Sequence, residues 1–152
     1  MDKLKELYQK IILQHNRHPQ NFGELTSPTV VAEDSNPICG DEMKITLLID
    51  TSGIIQDIRF RARGCALNMA SGSLMTELVK LKSVFEVKRL TGQIRAALLE
   101  NENLDVFDEL GDYGIFRHTI KYPVRIKCVL LAWDTLLKGI EQWATIQQND
   151  GE

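Results

Sequence analysis

The sequence predicts an α+β fold, a three-stranded antiparallel sheet with helices packed on one face. Two patterns carry that expectation. Apolar side chains alternate at Ile45, Leu47 and Ile49, and again at Ile58, Phe60 and Ala62, on either side of the turn Thr51-Ser52-Gly53. A period of two on both sides of a glycine turn marks a hairpin with one covered face. Toward the two ends of the chain the period changes. Leu4, Leu7, Ile11 and Ile12 fall near helical spacing, as do Val129, Ala132, Trp133, Leu136, Leu137, Ile140 and Trp143, so each stretch offers an apolar stripe to a core. With 152 residues the chain is expected to form one domain over 1–152, large enough to bury a core without disulfide staples.

Taken in order, residues 3–14 form the first helix, which ends near His15 or Arg17 because Pro19 stops it. Asn21-Phe22-Gly23 and Thr26-Ser27-Pro28 read as loop. Thr29 to Glu33 is a short strand. Asn36-Pro37-Ile38-Cys39-Gly40-Asp41 is a tight turn in which Pro37 restricts the backbone and Gly40 frees it around Cys39. The hairpin over 43–50 and 54–62 completes the sheet. From Ala66 the chain turns helical, with Met69, Leu74, Leu78 and Leu81 toward the sheet and Gly72 easing a close approach. Ser83 is placed to cap a second helical piece, with Glu86 at the capping-box position, and Gly92 to Leu99 forms a third. Gly111, Gly114 and several acids make the segment from Asn101 to Tyr122 short turns or a brief helix. Pro123 reads as a break, followed by a long helix from Cys128 to about Gln147.

Composition excludes several classes. A hydrophobic fraction of 43% and a charged fraction of 26% fit a soluble globular protein better than a disordered or membrane one. No apolar run approaches the about 18 residues that span a bilayer, and the acids among the first residues are unlike a signal or transit peptide. A cytoplasmic location is expected. The formal charge of -3 argues against general nucleic-acid affinity, which relies on a concentrated basic face. Arg59, Arg61 and Arg63 alternate along one strand and are read as a solvated face.

The chemistry is expected at the cysteines. Cys65 follows Gly64 at the start of a helix, where unpaired N–H groups and the helix dipole favour a thiolate. Cys39 lies in the turn before the hairpin, with Asp41 two residues on, and Cys128 at or near the start of the last helix. An odd number of cysteines in a reducing compartment leaves metal binding, reactivity and simple burial open. Three thiolates and one carboxylate would complete a tetrahedral zinc site, and helix N-termini with Arg63, Arg125 and Lys127 would offset its excess negative charge. Their wide spacing along the chain means that such a site forms only on a finished fold. His15 and His18 are three apart, but Pro19 disfavours helical geometry there, so no metal role is expected of them. His118 is read as a core or solvent-facing residue, with an approach to the pocket from the segment before Tyr122 as the alternative.

Asn36-Pro37-Ile38-Cys39-Gly40-Asp41, Arg63-Gly64-Cys65-Ala66 and Tyr122-Pro123-Val124-Arg125-Ile126-Lys127-Cys128 resemble the three cysteine motifs of the NifU/IscU family of iron–sulfur cluster assembly proteins. The stretch Tyr8 through Gly23 is similar to that family's N-terminal helix and loop. The long segment between Cys65 and Cys128, the Lys127 that stands where IscU scaffolds carry a histidine, and the missing chaperone-recognition motif resemble the SufU branch. That resemblance implies a SufE/NifU-like fold and a zinc-dependent sulfurtransferase. Its zinc ligands would be Cys39, Asp41, Cys65 and Cys128, with Cys39 as sulfur acceptor. The implied partners are a SufS-type cysteine desulfurase, itself a pyridoxal-phosphate enzyme, and the cluster assembly proteins. The alternatives are a scaffold that assembles a [2Fe–2S] cluster on the same residues, and a zinc module whose metal only holds the fold. Arg125 either helps a partner dock, steadies the pocket or serves as an ordinary surface residue.

Overall fold

The alternation in the middle of the chain forms two strands, β2 (Asp41–Ile49) and β3 (Ile55–Arg63), in a computed structural model that describes residues 2–150. The expected span of 1–152 includes Met1, Gly151 and Glu152, which lie outside the described residues. Ile45 stands opposite Phe60 and Leu47 opposite Ile58, so their side chains share one face. A further strand, β1 (Val30–Asn36), pairs with β2 and sets Ala32 beside Ile45, giving the order β1-β2-β3 with all neighbours antiparallel. The inner face is buried through Ala32, Met43, Ile45, Leu47, Ile58 and Phe60. β1 runs past the expected Glu33 to Asn36, and the turn that follows is therefore short.

Helices cover that inner face. The first, α1 (Asp2–Arg17), ends where Pro19 requires; α2 (Ala66–Val79) lies on β3; α3 (Val84–Glu100) and two 3-10 segments, Leu104–Glu109 and Gly111–Lys121, lead to α4 (Pro123–Asp150), which lies on β1 and β2. Gly72 allows α2 its close approach: a Cβ there would lie 2.7 Å from the Phe60 ring. His15 is spent on packing, since its Nδ1 meets Ser73 Oγ at 2.6 Å and ties α1 to α2, while His18 is exposed. The free edge of β3 is blunted at both ends. Phe60 bonds through N and O to Asn21 and Gly23, and Ile55 bonds to Leu81 and Lys82, which leaves little edge for another chain to extend.

On the outer face the three arginines are neutralised. Arg61 reaches Glu24 at 3.0 Å, Arg63 reaches Glu42 at 3.7 Å and Arg59 reaches Asp57 at 4.0 Å. A face balanced in this way is the solvated strand face that the alternation suggests. No helix among the described residues is long and apolar enough to cross a membrane.

Several expectations fail locally: Leu81, expected toward the sheet, lies beyond the end of α2 and is 66% exposed, and Leu4 and Leu7 of the expected core stripe are 58% and 51% exposed. The helical pieces at Ser83 and Gly92 are one continuous helix. Ser83 does cap it, accepting from Glu86 N at 3.1 Å, but Gly92 sits exposed in its middle, and one exposed glycine cannot end a helix whose Val87, Thr91, Ile94 and Leu98 keep a buried stripe. Pro123 does not break the chain; it opens α4, where its missing N–H costs nothing and its fixed φ suits the first turn. Cys128 consequently lies more than a turn inside the helix instead of at its start.

The two helical glycines should respond oppositely to alanine. Gly72→Ala is expected to lose about 1–3 kcal/mol through overpacking against Phe60. Gly92 has nothing within 4 Å of the added Cβ, so Gly92→Ala should gain about 0.5–1 kcal/mol. Urea unfolding midpoints check both signs.

Candidate metal centre

One end of the sheet gathers the cysteines. The turn 37–40 is closed by Cys39 N donating to Asn36 O at 3.2 Å, and Gly40 takes φ +70° so that the chain can re-enter β2. Asp41 is the first residue of β2, paired with Asn36, and is 1% exposed. At the other side of the same end β3 stops at Arg63, Gly64 turns the backbone with φ +115°, and Cys65 becomes the N-cap residue of α2.

Asp41 locks these pieces together. Its Oδ1 accepts from Cys65 N at 2.9 Å, and its Oδ2 lies 3.9 Å from Cys65 Sγ. The side chain rests in the notch at Gly64, where a Cβ would stand 2.1 Å from Asp41 Oδ1. Glycine is thus required there both for its backbone angle and for its missing side chain.

Cys128 arrives from α4. One ligating atom each of Cys39, Asp41 and Cys128 lies within 4.8 Å of the others. Cys128 is buried at 3% exposure, and burial, followed by hydrogen bonding to Asp41, Cys65 and Cys39, pushes its pKa far above the usual thiol range. Three of the four residues named from the sequence therefore share one centre, and Cys65 stands beside it through its 3.9 Å contact with Asp41. The three cysteines are free thiols, Cys39 and Cys65 half-buried.

The donor set suits a cation. A nearly buried carboxylate that has one backbone N–H for company is poorly compensated, and three sulfurs with one oxygen match the ligands and number of a tetrahedral zinc site. The same sulfurs also suit iron. The expected charge offsets are only partly in place. α2 does present its N-terminus at Cys65, but Arg63 turns outward to Glu42, and Lys127 is exposed without an ion-pair partner among the described residues. Arg125 stacks over Tyr122, its guanidinium carbon 4.7 Å from the ring centroid.

Tyr8 and Asn68, both near the centre, are given no role there by the sequence pattern. Tyr8 of α1 is half-buried, and burial raises its pKa against the pull of Arg125, with Tyr122 and Cys65 adding to the rise. His118 is exposed and meets Tyr8 edge-on at 6.0 Å, so it belongs to this rim and not to the donor set. Asn68, on the first turn of α2, is fully buried behind Asp41 and Cys65. Neither residue has a telling periodicity; only the folded neighbourhood distinguishes them.

Comparison with known proteins follows the same lines. The profile of the NifU-like N-terminal domain matches residues 7–150. The chain is 34% identical over 137 residues to the zinc-dependent sulfurtransferase SufU of Bacillus subtilis, covering 90% of this chain and 91% of the relative. It is 33% identical to the iron–sulfur cluster assembly scaffold protein IscU of Streptococcus pyogenes, covering 97% and 91%. Among solved structures, the N-terminal part of a nitrogen-fixing NifU-like protein from Brucella abortus superimposes with a TM-score of 0.80 at 25% identity, covering 91% of this chain and 95% of that one.

Gly64→Ala tests the notch. The added Cβ should displace Asp41 and strain the backbone, lowering stability by about 1–3 kcal/mol and reducing retained metal well below that of the wild type. Thermal melts and elemental analysis of the purified variant check both outcomes.

Proposed function

The chain belongs to the NifU-like N-terminal domain family, and on that premise we propose that it is a zinc-dependent sulfurtransferase, accepting persulfide sulfur from a SufS-type cysteine desulfurase for iron–sulfur cluster assembly. The observation that carries this reading is the gathering of Cys39, Asp41 and Cys128 within 4.8 Å of one another, with Cys65 Sγ 3.9 Å from Asp41 Oδ2. These four would hold the zinc, which when bound keeps the thiols deprotonated yet masked. Likeness to the Bacillus subtilis sulfurtransferase supports the transfer activity. In this reading the protein works in the cytoplasm, where its thiols stay reduced.

Cys39 is the sulfur acceptor. Cys65 is fixed through its own N–H to Asp41, and Cys128 is buried on a helix. Cys39 instead rides the turn 37–40, half-buried, next to Ile38 at 73% exposure. Its thiolate attacks the outer sulfur of a persulfide on the desulfurase. An S–S bond forms at Cys39 as the partner's S–S bond breaks, and the partner's cysteine leaves as a thiolate, so charge and sulfur oxidation states balance. Exposed Ile38, Tyr122 and Val124, close in sequence to Cys39 and Cys128, give the desulfurase an apolar surface to dock on.

A second reading, assembly of a [2Fe–2S] cluster on the same donors, draws support from the Streptococcus pyogenes relative and from the affinity of thiolates for iron. One experiment separates the two. Zinc-loaded protein mixed with a desulfurase and cysteine should raise turnover and gain the mass of one sulfur atom at Cys39, and Cys39→Ser should lose both. Unchanged turnover with no sulfur on Cys39 rejects the transfer. A stable, transferable cluster formed anaerobically in the presence of zinc favours the scaffold.

A further inference from the structure

We propose that Asn68 is a positioning residue for the four-donor centre, its carboxamide clamping the ends of β2 and β3 so that Asp41 and Cys65 keep facing one another. The proposal rests on reading the centre as a metal site. Asn68 is fully buried, and its Nδ2 donates to Glu42 O at 3.1 Å and to Arg63 O at 3.0 Å. Glu42 and Arg63 stand opposite one another as the last rung of the β2–β3 ladder. Beyond that rung the chain continues on one side as Asp41 and on the other as Gly64 and Cys65. One planar amide therefore bridges the two strands immediately before they diverge into the donor residues.

The bridge sets a distance that the ladder alone leaves free. Past the last rung, Asp41 and Cys65 are joined by Cys65 N donating to Asp41 Oδ1. With Gly64 at the bend, whose backbone is the least restricted of any residue, the Cys65 side could swing away from Asp41. Asn68 prevents this from within the same helix, because its backbone N also bonds Cys65 O at 3.1 Å. N-cap residue, strand end and carboxylate thus form one closed set of bonds.

The choice of side chain fits positioning better than bulk stability. Asn68 Oδ1 is buried without a hydrogen-bond partner, a cost that an apolar residue of similar size would avoid. An amide that leaves its acceptor unmet while both donors are engaged is retained for the two carbonyls it holds. It also stands in the first turn of α2, where its side chain can reach back across the strands while its helical backbone stays intact. Residues behind the ligands commonly tune a site in this way, and their loss costs 10–100-fold in metal affinity.

Zinc affinity by chelator competition and the absorption spectrum of the cobalt-substituted protein test the clamp. Asn68→Ala is expected to bind zinc about 10–100-fold more weakly, with altered thiolate-to-cobalt bands. Asn68→Ser, whose hydroxyl can serve one carbonyl at a time, should lose about tenfold and covers the case in which the alanine variant fails to fold. Thr76→Ala serves as control: it removes the bond from Asn21 Nδ2 at 3.0 Å near the far end of α2, and should lower the melting temperature while zinc affinity and the cobalt spectrum stay at wild-type values. An Asn68 variant that matches the wild type in affinity and spectrum overturns the clamp, whatever its melting temperature. Wild-type protein without tight zinc binding or thiolate-to-cobalt bands overturns the metal reading, and the clamp with it.

Discussion

A single carboxylate placed against a backbone N–H holds this end of the molecule together. Asp41 begins β2, Cys65 begins α2, and the bond from Cys65 N to Asp41 Oδ1 joins two elements that the sheet's own ladder no longer connects. That bond depends on Gly64, since any side chain there would occupy the carboxylate's position. The constraint is therefore covalent in origin. A missing Cβ creates the notch, the notch seats the carboxylate, and the carboxylate fixes where the helix starts.

From that start α2 organises the rest. Its first residues present Cys65 beside Asp41, and Asn68 reaches back to the strands. One turn further, Ser71 donates to Val129 O at 2.7 Å and contacts the Tyr113 hydroxyl, which also receives the Trp133 indole N–H. Val129 follows Cys128, so the same helix that carries one thiol also anchors the helix carrying another. Gly72 then brings α2 down onto Phe60. The donors meet because a single rigid element touches the strand ends on one side and α4 on the other, and burial of Tyr113 and Trp133 in the contact makes the meeting costly to undo.

Much of this was legible beforehand because it is written in short-range pattern. Alternation around Ile45 and Phe60 reveals the hairpin, since period two has few other solutions. Ser83 with Glu86 reveals a cap, because capping is a local exchange of hydrogen bonds. Cys39 with Asp41, and Gly64 with Cys65, could be picked out because each pair lies within a few residues. What failed was punctuation: Gly92 and Pro123 look like breaks, but an exposed glycine inside a buried stripe and a proline at a helix's first position are both tolerated. Asn68 was illegible for a different reason. Its partners are carbonyls on two strands, and a carbonyl belongs to every residue, so no choice of amino acid at 42 or 63 announces the contact.

The same geometry holds the three thiols in different ways. Two of them are bound into the framework, Cys65 through the bond to Asp41 and Cys128 through burial on α4. Cys39 is held by its neighbours in a turn that Pro37 stiffens on one side and Gly40 bends on the other, with Ile38 facing solvent between them. To withdraw Cys65 or Cys128 from the centre, a helix must shift against a packed core. To withdraw Cys39, a turn at the edge of the sheet need only rotate. A centre with two anchored sulfurs, an anchored carboxylate and one sulfur on a turn can release that one donor and keep the rest of its shape, because the other three are held by elements packed into the core.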